Sequence, residues 1–265
     1  QHGFDYNIVE AFNQPWKSNL EGVVGANWGL LSADRKPVFP LTGPVLENPD
    51  WMLNTGYAVG LLVLFVLGFY AQLKRLNLPR QLLWLVFAQI FAALLIKQAD
   101  LEWYTSYSLW QRLYTGVLVL VNLGLSWVLL RRLADTLMAQ ASTTAPLLTK
   151  AYGFFVVLAL YKTLMLAING RYLSFPVDQL AIPAIGVLAM QLCHWIVTRR
   201  WAFSFSAIAG VHSHYDRHMA NGLLLAIVAM VIGEIYAFMV GRDFILAHPG
   251  FWNGLPYALQ YTLCN

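Results

Sequence analysis

The sequence predicts an all-α polytopic membrane protein with six complete transmembrane helices and the start of a seventh, preceded by a short polar segment. Of its 265 residues, 58% are hydrophobic and 11% are charged, whereas soluble domains average about 45–50% and about 25%. Three runs, at residues 60–71, 117–130 and 223–233, carry no charge at all. Each run extends with its neighbours to the roughly 20 residues that cross a bilayer.

The predicted helices follow these runs and their neighbours in chain order. The first, third and sixth contain the three charge-free runs, and the second, fourth and fifth are further apolar stretches flanked by basic loops. Pro256 suits the first turn of a seventh helix, where the missing N–H costs nothing. The predicted spans are 53–73, 81–96, 108–130, 151–168, 177–197 and 222–240, with another helix starting at 256.

Basic residues alternate between the two sides of these helices. Cytoplasmic loops carry an excess of Lys and Arg, so the richer side is predicted to be cytoplasmic and the N-terminal segment to lie outside, which in a Gram-negative bacterium is the periplasm. Nine basic residues fall on the cytoplasmic side (Lys74, Arg75, Arg80, Arg131, Arg132, Lys150, Arg199, Arg200, Arg217) and four on the other (Lys97, Arg112, Arg171, Arg242). Aromatic residues near the helix ends fit the interfacial belts of membrane proteins (Trp51, Trp84, Trp103, Tyr104, Trp110, Trp195).

Several function classes find no support in the sequence. The net charge of +4 comes from the basic clusters beside the helices, so it reports topology and does not indicate nucleic-acid binding. Cys193 and Cys264 show no pairing pattern, and there is no P-loop, GxSxG, GxGxxG or HExxH motif. No cofactor and no metal site are predicted.

The first 48 residues differ from the rest in their polar turns and in a β-like run at residues 6–12. They are too few to form a domain and are interpreted as the end of one that lies upstream, while residues 49–265 form the membrane domain. Four stretches of this segment, in chain order, carry a resemblance to a known family: Tyr6-Asn7-Ile8-Val9-Glu10-Ala11-Phe12-Asn13-Gln14-Pro15-Trp16-Lys17, Glu21-Gly22, Asn27-Trp28-Gly29-Leu30 and Asp34-Arg35-Lys36-Pro37.

This segment resembles the last strand and closing loop of glycoside hydrolase family 17, in the bacterial membrane-attached branch of β-1,3-glucanases and β-glucan glucosyltransferases. The resemblance implies a (β/α)₈ barrel whose eighth strand is residues 6–12, with residues 14–21 on the loop where barrel active sites lie. It also implies a retaining mechanism with two glutamates. Both belong to earlier strands, so no catalytic residue is expected in this chain.

The resemblance assigns this chain to the edge of a sugar cleft. Lys17 and Glu21 match residues that bind sugar hydroxyls or support the nucleophile, and Trp16 and Trp28 offer flat faces for pyranose rings. The chain departs from the family at Asn13 and Gln14, where acidic residues are common. In the alternative interpretation, the two tryptophans close the barrel core and Lys17 pairs with Glu21. The predicted substrate-binding set is Gln14, Trp16, Lys17, Glu21 and Trp28.

Polar residues inside the predicted helices form a second set of candidates. Lys162 and Glu234 lie at similar depths, so far from their helix ends that unpaired burial would cost several kcal/mol. They are predicted either to form an ion pair that ties two helices together or to line a path for a glycan or protons, and Asn122 fits either.

Two further groups have competing interpretations. His212, His214 and His218 lie near Asp216, and the last two histidines have the i, i+4 spacing of metal ligands; surface histidines explain them as well. The loop at residues 97–112 mixes carboxylates and aromatics, as glycan sites do, but interfacial anchoring accounts for the same residues.

The resulting hypothesis is a membrane-anchored protein that hydrolyses or transglycosylates β-1,3-glucan, this chain lacking the catalytic glutamates. Its expected partners are β-glucan or oligosaccharide, the lipid bilayer and a family 2 glycosyltransferase. Two alternatives remain. One is a transporter of glycan or small solutes, or a handler of lipid-linked sugars; the other is a scaffold that docks a synthase. A conduit would need more inward polar groups than Asn122, Lys162 and Glu234.

Overall fold

The computed structural model describes residues 10–18, 25–40, 42–44, 46, 48–106, 108–169 and 177–264. Over these residues the regular secondary structure is helical, with isolated β-bridges before the first long helix. The longer helices are α1 (Trp51–Gly68), α2 (Leu78–Thr105), α3 (Leu109–Leu137), α4 (Ala145–Asn169), α5 (Val177–Thr198), α6 (His214–Met239) and α7 (Phe251–Cys264). Shorter helices span Pro15–Lys17, Tyr70–Leu73, Phe205–Ala209 and Arg242–Ala247.

Helices α1 to α6 are each long and apolar enough to cross a bilayer. The predicted six spans are therefore confirmed, and by the length and composition of its helices the chain is a multi-pass membrane protein. The predicted start of the seventh helix at Pro256 is wrong. Helix α7 begins at Phe251 and contains that proline within it.

Helix α2 extends nine residues beyond its predicted end at residue 96. It begins after Asn77, whose side chain accepts a hydrogen bond from the backbone N–H of Arg80 at 3.2 Å and so caps the helix. It continues past residue 96 because Gln98 and Glu102, four residues apart, are both buried on one face. The helix thus carries polar side chains into the protein interior.

The chain divides into two compact units. Unit 1 comprises Gln1–Pro49, Met165–Ser174 and Val231–Asn265, and unit 2 comprises Asp50–Leu164 and Phe175–Met230. The predicted domain boundary at residue 48 stays a prediction.

The core of unit 2 is built by α1 on α2, α2 on α3, and α5 on both α2 and α3. Large aromatic side chains fill it, with the rings of Phe69 and Trp127 4.7 Å apart. Trp84 is fully buried and donates its indole N–H to the carbonyl of Leu130 at 2.9 Å. The prediction that Trp84 lies in an interfacial belt is therefore wrong, because burial with a satisfied N–H places it in the core.

Side-chain hydrogen bonds define the two ends of unit 2. At one end, Arg80 donates to the Leu137 carbonyl at 2.7 Å and Arg132 donates to the Ile208 carbonyl at 2.9 Å. At the opposite end, the Asn54 side chain donates to Asp100 at 3.1 Å. The ends of consecutive helices in unit 2 therefore meet as in antiparallel hairpins, while the division of the basic residues between a cytoplasmic and an outer side stays a prediction.

Candidate functional site

Backbone hydrogen bonds and β-bridges join parts of the stretch before α1. We call residues 10–17 and 26–38 of this stretch the N-terminal frame. Phe12 forms a parallel bridge with Leu31, and Leu31 forms an antiparallel bridge with Pro37. The Asn13 N–H donates to the Leu31 carbonyl at 2.7 Å, and the Leu31 N–H donates to the Ala11 carbonyl at 3.0 Å. Residues 6–9 of the predicted barrel strand lie outside the described residues, and residues 10–12 contribute one bridge and no strand. The barrel stays a prediction.

Asn13 and Gly29 hold this frame closed. The Asn13 side-chain oxygen accepts from the Gly29 N–H at 2.8 Å, and its amide donates to the Asn27 side chain at 3.1 Å. A Cβ on Gly29 would lie 2.1 Å from the Asn13 nitrogen and 2.2 Å from the Phe12 carbonyl carbon. Only glycine therefore fits there, and Asn13 has a structural role in closing the frame.

The predicted sugar-contact residues lie on this frame. Trp16 is 61% exposed and Trp28 51% exposed, so both indoles face outward. Lys17 forms a salt bridge with Glu10, a pairing that was not predicted from the sequence, and its ammonium lies 5.9 Å from the Trp16 ring centroid.

Gln14 and Glu21 complete the predicted set. Gln14 is half-buried and its N–H donates to the Ala26 carbonyl at 3.0 Å, which links the Trp16 turn to the stretch that leads to Trp28. Glu21 lies outside the described residues, so its role and its pairing with Lys17 stay predictions.

A buried polar cluster lies within unit 2 around Asn122. Asn122 is fully buried, and its amide donates to the Gln98 side-chain oxygen at 2.9 Å and to the Gln179 backbone carbonyl at 3.1 Å. Gln98, also fully buried, donates to the Glu102 carboxylate at 3.0 Å. Ser126 donates to the Asn122 carbonyl at 2.8 Å. We call Gln98, Glu102, Asn122 and Gln179 the polar cluster; it joins α2, α3 and α5.

Two oxygen atoms of the polar cluster, Asn122 Oδ1 and Gln179 Oε1, are buried without a hydrogen-bond donor among the described residues. The Gln179 side chain lies beside the Glu102 carboxyl group. Buried polar atoms are almost always paired, so each exception needs an explanation. These side chains are 0–8% exposed, so the polar cluster is closed to bulk solvent.

Lys162 lies beside this cluster on α4. Its ammonium is 4.9 Å from the centroid of the Tyr114 ring, and it is within electrostatic range of the carboxylates of Glu102 and Asp178. Within unit 2, the described part of the chain shows no salt bridge to Lys162. Glu234 belongs to unit 1. The predicted ion pair between Lys162 and Glu234 therefore stays a prediction.

Asn122 and Lys162 were predicted from the sequence as polar residues within the helices, whereas Gln98, Glu102 and Gln179 were not. Glu102 was assigned to an outer loop because α2 was expected to end at residue 96. The i, i+4 spacing of Gln98 and Glu102, which places both on one helix face, was the available signal. Gln179 is the third residue of α5, and no pattern distinguishes such a residue from a polar helix end.

The histidines do not form a metal site in the described residues. The rings of His214 and His218 are 6.3 Å apart, and no group of three His, Cys, Asp or Glu side chains there has metal-binding geometry. Asp216 instead accepts two hydrogen bonds from Ser206, one from its backbone N–H at 2.6 Å and one from its hydroxyl at 2.5 Å. It thereby fixes the loop between α5 and α6.

An apolar cavity of about 570 Å³ opens between α4, α5 and α6 in unit 2. Its wall includes Tyr152, Phe155, Pro183, Phe205 and Leu223. Such a lining offers little to a polar ligand. The candidate functional sites are therefore the N-terminal frame and the polar cluster.

No protein-family model, curated protein or solved structure matches this chain. The resemblance to glycoside hydrolase family 17 and the functions it implies therefore stay predictions.

Proposed function

We propose that this chain is the membrane-anchored part of a β-glucan-processing protein of the bacterial inner membrane, with its N-terminal segment in the periplasm. The parent activity would be hydrolysis or transglycosylation of β-1,3-glucan. The observation that carries the proposal is the exposure of Trp16 and Trp28 on a hydrogen-bonded frame. This chain would supply sugar contacts and an anchor, because the resemblance assigns both catalytic glutamates to earlier strands.

The chemistry of the frame suits a sugar chain. Indole faces are large, rigid and apolar, and they cover the apolar faces of pyranose rings at low cost in conformational entropy. Lys17, oriented by Glu10, offers charged donors to sugar hydroxyls. The side chains of Gln14 and Glu21 would add hydrogen bonds at the cleft edge. A family 2 glycosyltransferase would supply glucan at the same membrane.

Truncating either tryptophan should weaken glucan binding. We expect Trp16→Ala and Trp28→Ala each to raise the Kd for laminari-oligosaccharides about tenfold, equivalent to about 1.4 kcal/mol, because each removes one stacking face. Isothermal titration of the purified full chain in detergent measures this. Trp201→Ala is the control, since Trp201 is 57% exposed and lies in the loop between α5 and α6. Absence of binding by the unmodified chain, or equal losses in all three variants, contradicts the proposal.

A second candidate function is movement of a polar solute or glycan through the helical domain. The polar cluster favours it, because it adds Gln98, Glu102 and Gln179 to the inward polar groups recognised in the sequence. Uptake of labelled oligosaccharide into proteoliposomes distinguishes a conduit from an anchor or a synthase scaffold. Uptake equal to that of protein-free liposomes eliminates the conduit.

A further inference from the structure

One face of α4 lines two pockets of unit 2. Near the start of the helix this face lines a pocket of about 360 Å³, and further along it lines the apolar cavity of about 570 Å³. The segment between α5 and α6 also lines both, with residues 202–205 and 208 in the cavity and residues 210–212 in the smaller pocket. The α4 residues follow the i, i+4 and i, i+3 spacing of a single helix face: Ala145, Thr149, Tyr152, Val156 and Ala159.

The smaller pocket, which we call the basic pocket, is lined by positive and hydrogen-bonding groups. The Arg132 guanidinium lies against Gly210 in its wall, since a Cβ on Gly210 would be 3.3 Å from the guanidinium carbon. Arg132 is fixed there because it donates to the Ile208 carbonyl at 2.9 Å. The wall also contains Thr149, Lys150, His212 and Tyr215.

Two carboxylates that lie close to these residues in the chain have partners of their own. Asp135 forms a salt bridge with Arg131 at 3.2 Å and accepts a hydrogen bond from the Thr143 hydroxyl at 2.8 Å. Asp216 accepts two hydrogen bonds from Ser206. Among the described residues that line the basic pocket or the apolar cavity there is no Asp or Glu. The basic pocket therefore has an excess of positive charge and suits an anionic group.

The apolar cavity suits a hydrocarbon chain. The polar side chains among the described residues of its wall are Tyr152, Gln191 and Ser204. The Tyr152 hydroxyl already donates to the Pro183 carbonyl at 2.9 Å. The volume falls within the roughly 300–1,000 Å³ of small-molecule sites. Helices α4, α5 and α6 border the cavity and are candidate membrane spans, so lipid would surround them.

We propose that the basic pocket and the apolar cavity together bind one anionic phospholipid, with its phosphate in the basic pocket and one acyl chain in the cavity. Lys150 and Ala159 are nine residues apart on α4, roughly 13–14 Å at 1.5 Å per residue, so headgroup and chain would follow the helix axis. Basic pockets between membrane-spanning helices bind such headgroups. A free phosphate would leave the cavity unfilled, and a neutral lipid would not use the charges of Lys150 and Arg132.

The test is thermal unfolding of the purified full chain in detergent, with dioleoyl phosphatidylglycerol or dioleoyl phosphatidylcholine added to the micelles. The two lipids have the same acyl chains and differ in net charge. A ligand that binds only the folded state raises Tm by mass action. We expect phosphatidylglycerol to raise Tm saturably, by about 5 °C at 100 times its apparent Kd. We expect an apparent Kd about tenfold higher for phosphatidylcholine.

The charge is tested by Lys150→Gln, which should raise the apparent Kd for phosphatidylglycerol about fivefold and leave that for phosphatidylcholine unchanged. Lys150 is exposed, so this variant should fold. Lys74→Gln is the matched control, because Lys74 is also exposed but lines neither pocket. It should leave both apparent Kd values unchanged.

The cavity is tested by Val156→Trp, which should raise the apparent Kd for both lipids about tenfold, because the indole would occupy the space of the acyl chain. Val157→Trp is the matched control, since Val157 is 64% exposed and does not line the cavity. If Val156→Trp does not fold, the comparison of Lys150→Gln with Lys74→Gln still decides the proposal.

Three results would overturn the proposal. Equal Tm shifts from the two lipids would show that the charge is not recognised. A preference for phosphatidylglycerol that survives Lys150→Gln, or that Lys74→Gln reduces equally, would place binding elsewhere. An equal shift from inorganic phosphate alone, or tighter binding of undecaprenyl phosphate, would assign the site to a different anion. None of these results bears on glucan binding by Trp16 and Trp28.

Discussion

Replacing Asn122 by leucine is expected to lower the free energy of unfolding by about 2 kcal/mol. The amide of Asn122 donates to Gln98 and to the Gln179 carbonyl, and it is fully buried between α2, α3 and α5. Leucine has nearly the same volume, so the loss comes from two broken hydrogen bonds and two acceptors left without donors. Interhelical hydrogen bonds in membrane proteins contribute roughly 0.6–1.7 kcal/mol each.

Unfolding of the purified chain in mixed micelles with increasing SDS measures this change. Asn221→Leu is the control, because Asn221 is an exposed asparagine on α6, and exposed substitutions usually change stability by less than about 0.5 kcal/mol. If both variants lose the same stability, or if Asn122→Leu loses none, Asn122 does not join the three helices.

The Gly29→Ala variant is expected to open the N-terminal frame while leaving the helical domain intact. The new Cβ would overlap backbone atoms of Phe12 and Asn13, which cannot rotate away as a side chain can. Relief requires the chain to move apart at the bonds between Asn13 and Leu31. We expect protease cleavage within residues 10–40 to accelerate about tenfold, the factor that corresponds to about 1.4 kcal/mol in local opening.

Limited proteolysis followed by mass spectrometry of the fragments locates and times the cuts. Gly60→Ala in α1 is the matched control, because nothing lies within 4 Å of the Cβ that it would introduce. If Gly29→Ala is cleaved at the same rate as the unmodified protein, the close contact of Gly29 with Phe12 and Asn13 does not hold the N-terminal frame together. Faster cleavage of both variants would point to a general loss of stability.

The sequence predicted the number of membrane spans because a charge-free run of about 20 residues has few stable alternatives to a transmembrane helix. It predicted helix ends less well where polar residues continue a helix into the protein. Glu102 illustrates this, since a carboxylate near a predicted end looks like a loop residue until Gln98 and Asn122 are seen to pack beside it. Trp84 shows the converse, an aromatic near a predicted interface that instead fills the core.

The candidate sites could be predicted only in part, because single polar residues stand out in an apolar run but their distant partners do not. A single asparagine or lysine within an apolar run is conspicuous, so Asn122 and Lys162 were recognised. The hydrogen-bond partners of Asn122 come from residues 24 and 57 positions away, and no local pattern reports such pairing. The salt bridge of Lys17 with Glu10 could not be predicted from the sequence, because the two residues are seven positions apart and no local pattern pairs them.

We propose that the N-terminal segment lies in the periplasm and precedes, along the chain, a membrane domain with six spanning helices. Paired topology reporters test it most directly: green fluorescent protein, which fluoresces in the cytoplasm, and alkaline phosphatase, which is active in the periplasm, each fused after Arg132 and after Arg171. We expect fluorescence only after Arg132 and phosphatase activity only after Arg171. The reverse pattern would place the tryptophan-bearing segment in the cytoplasm and contradict the proposed contact with periplasmic glucan.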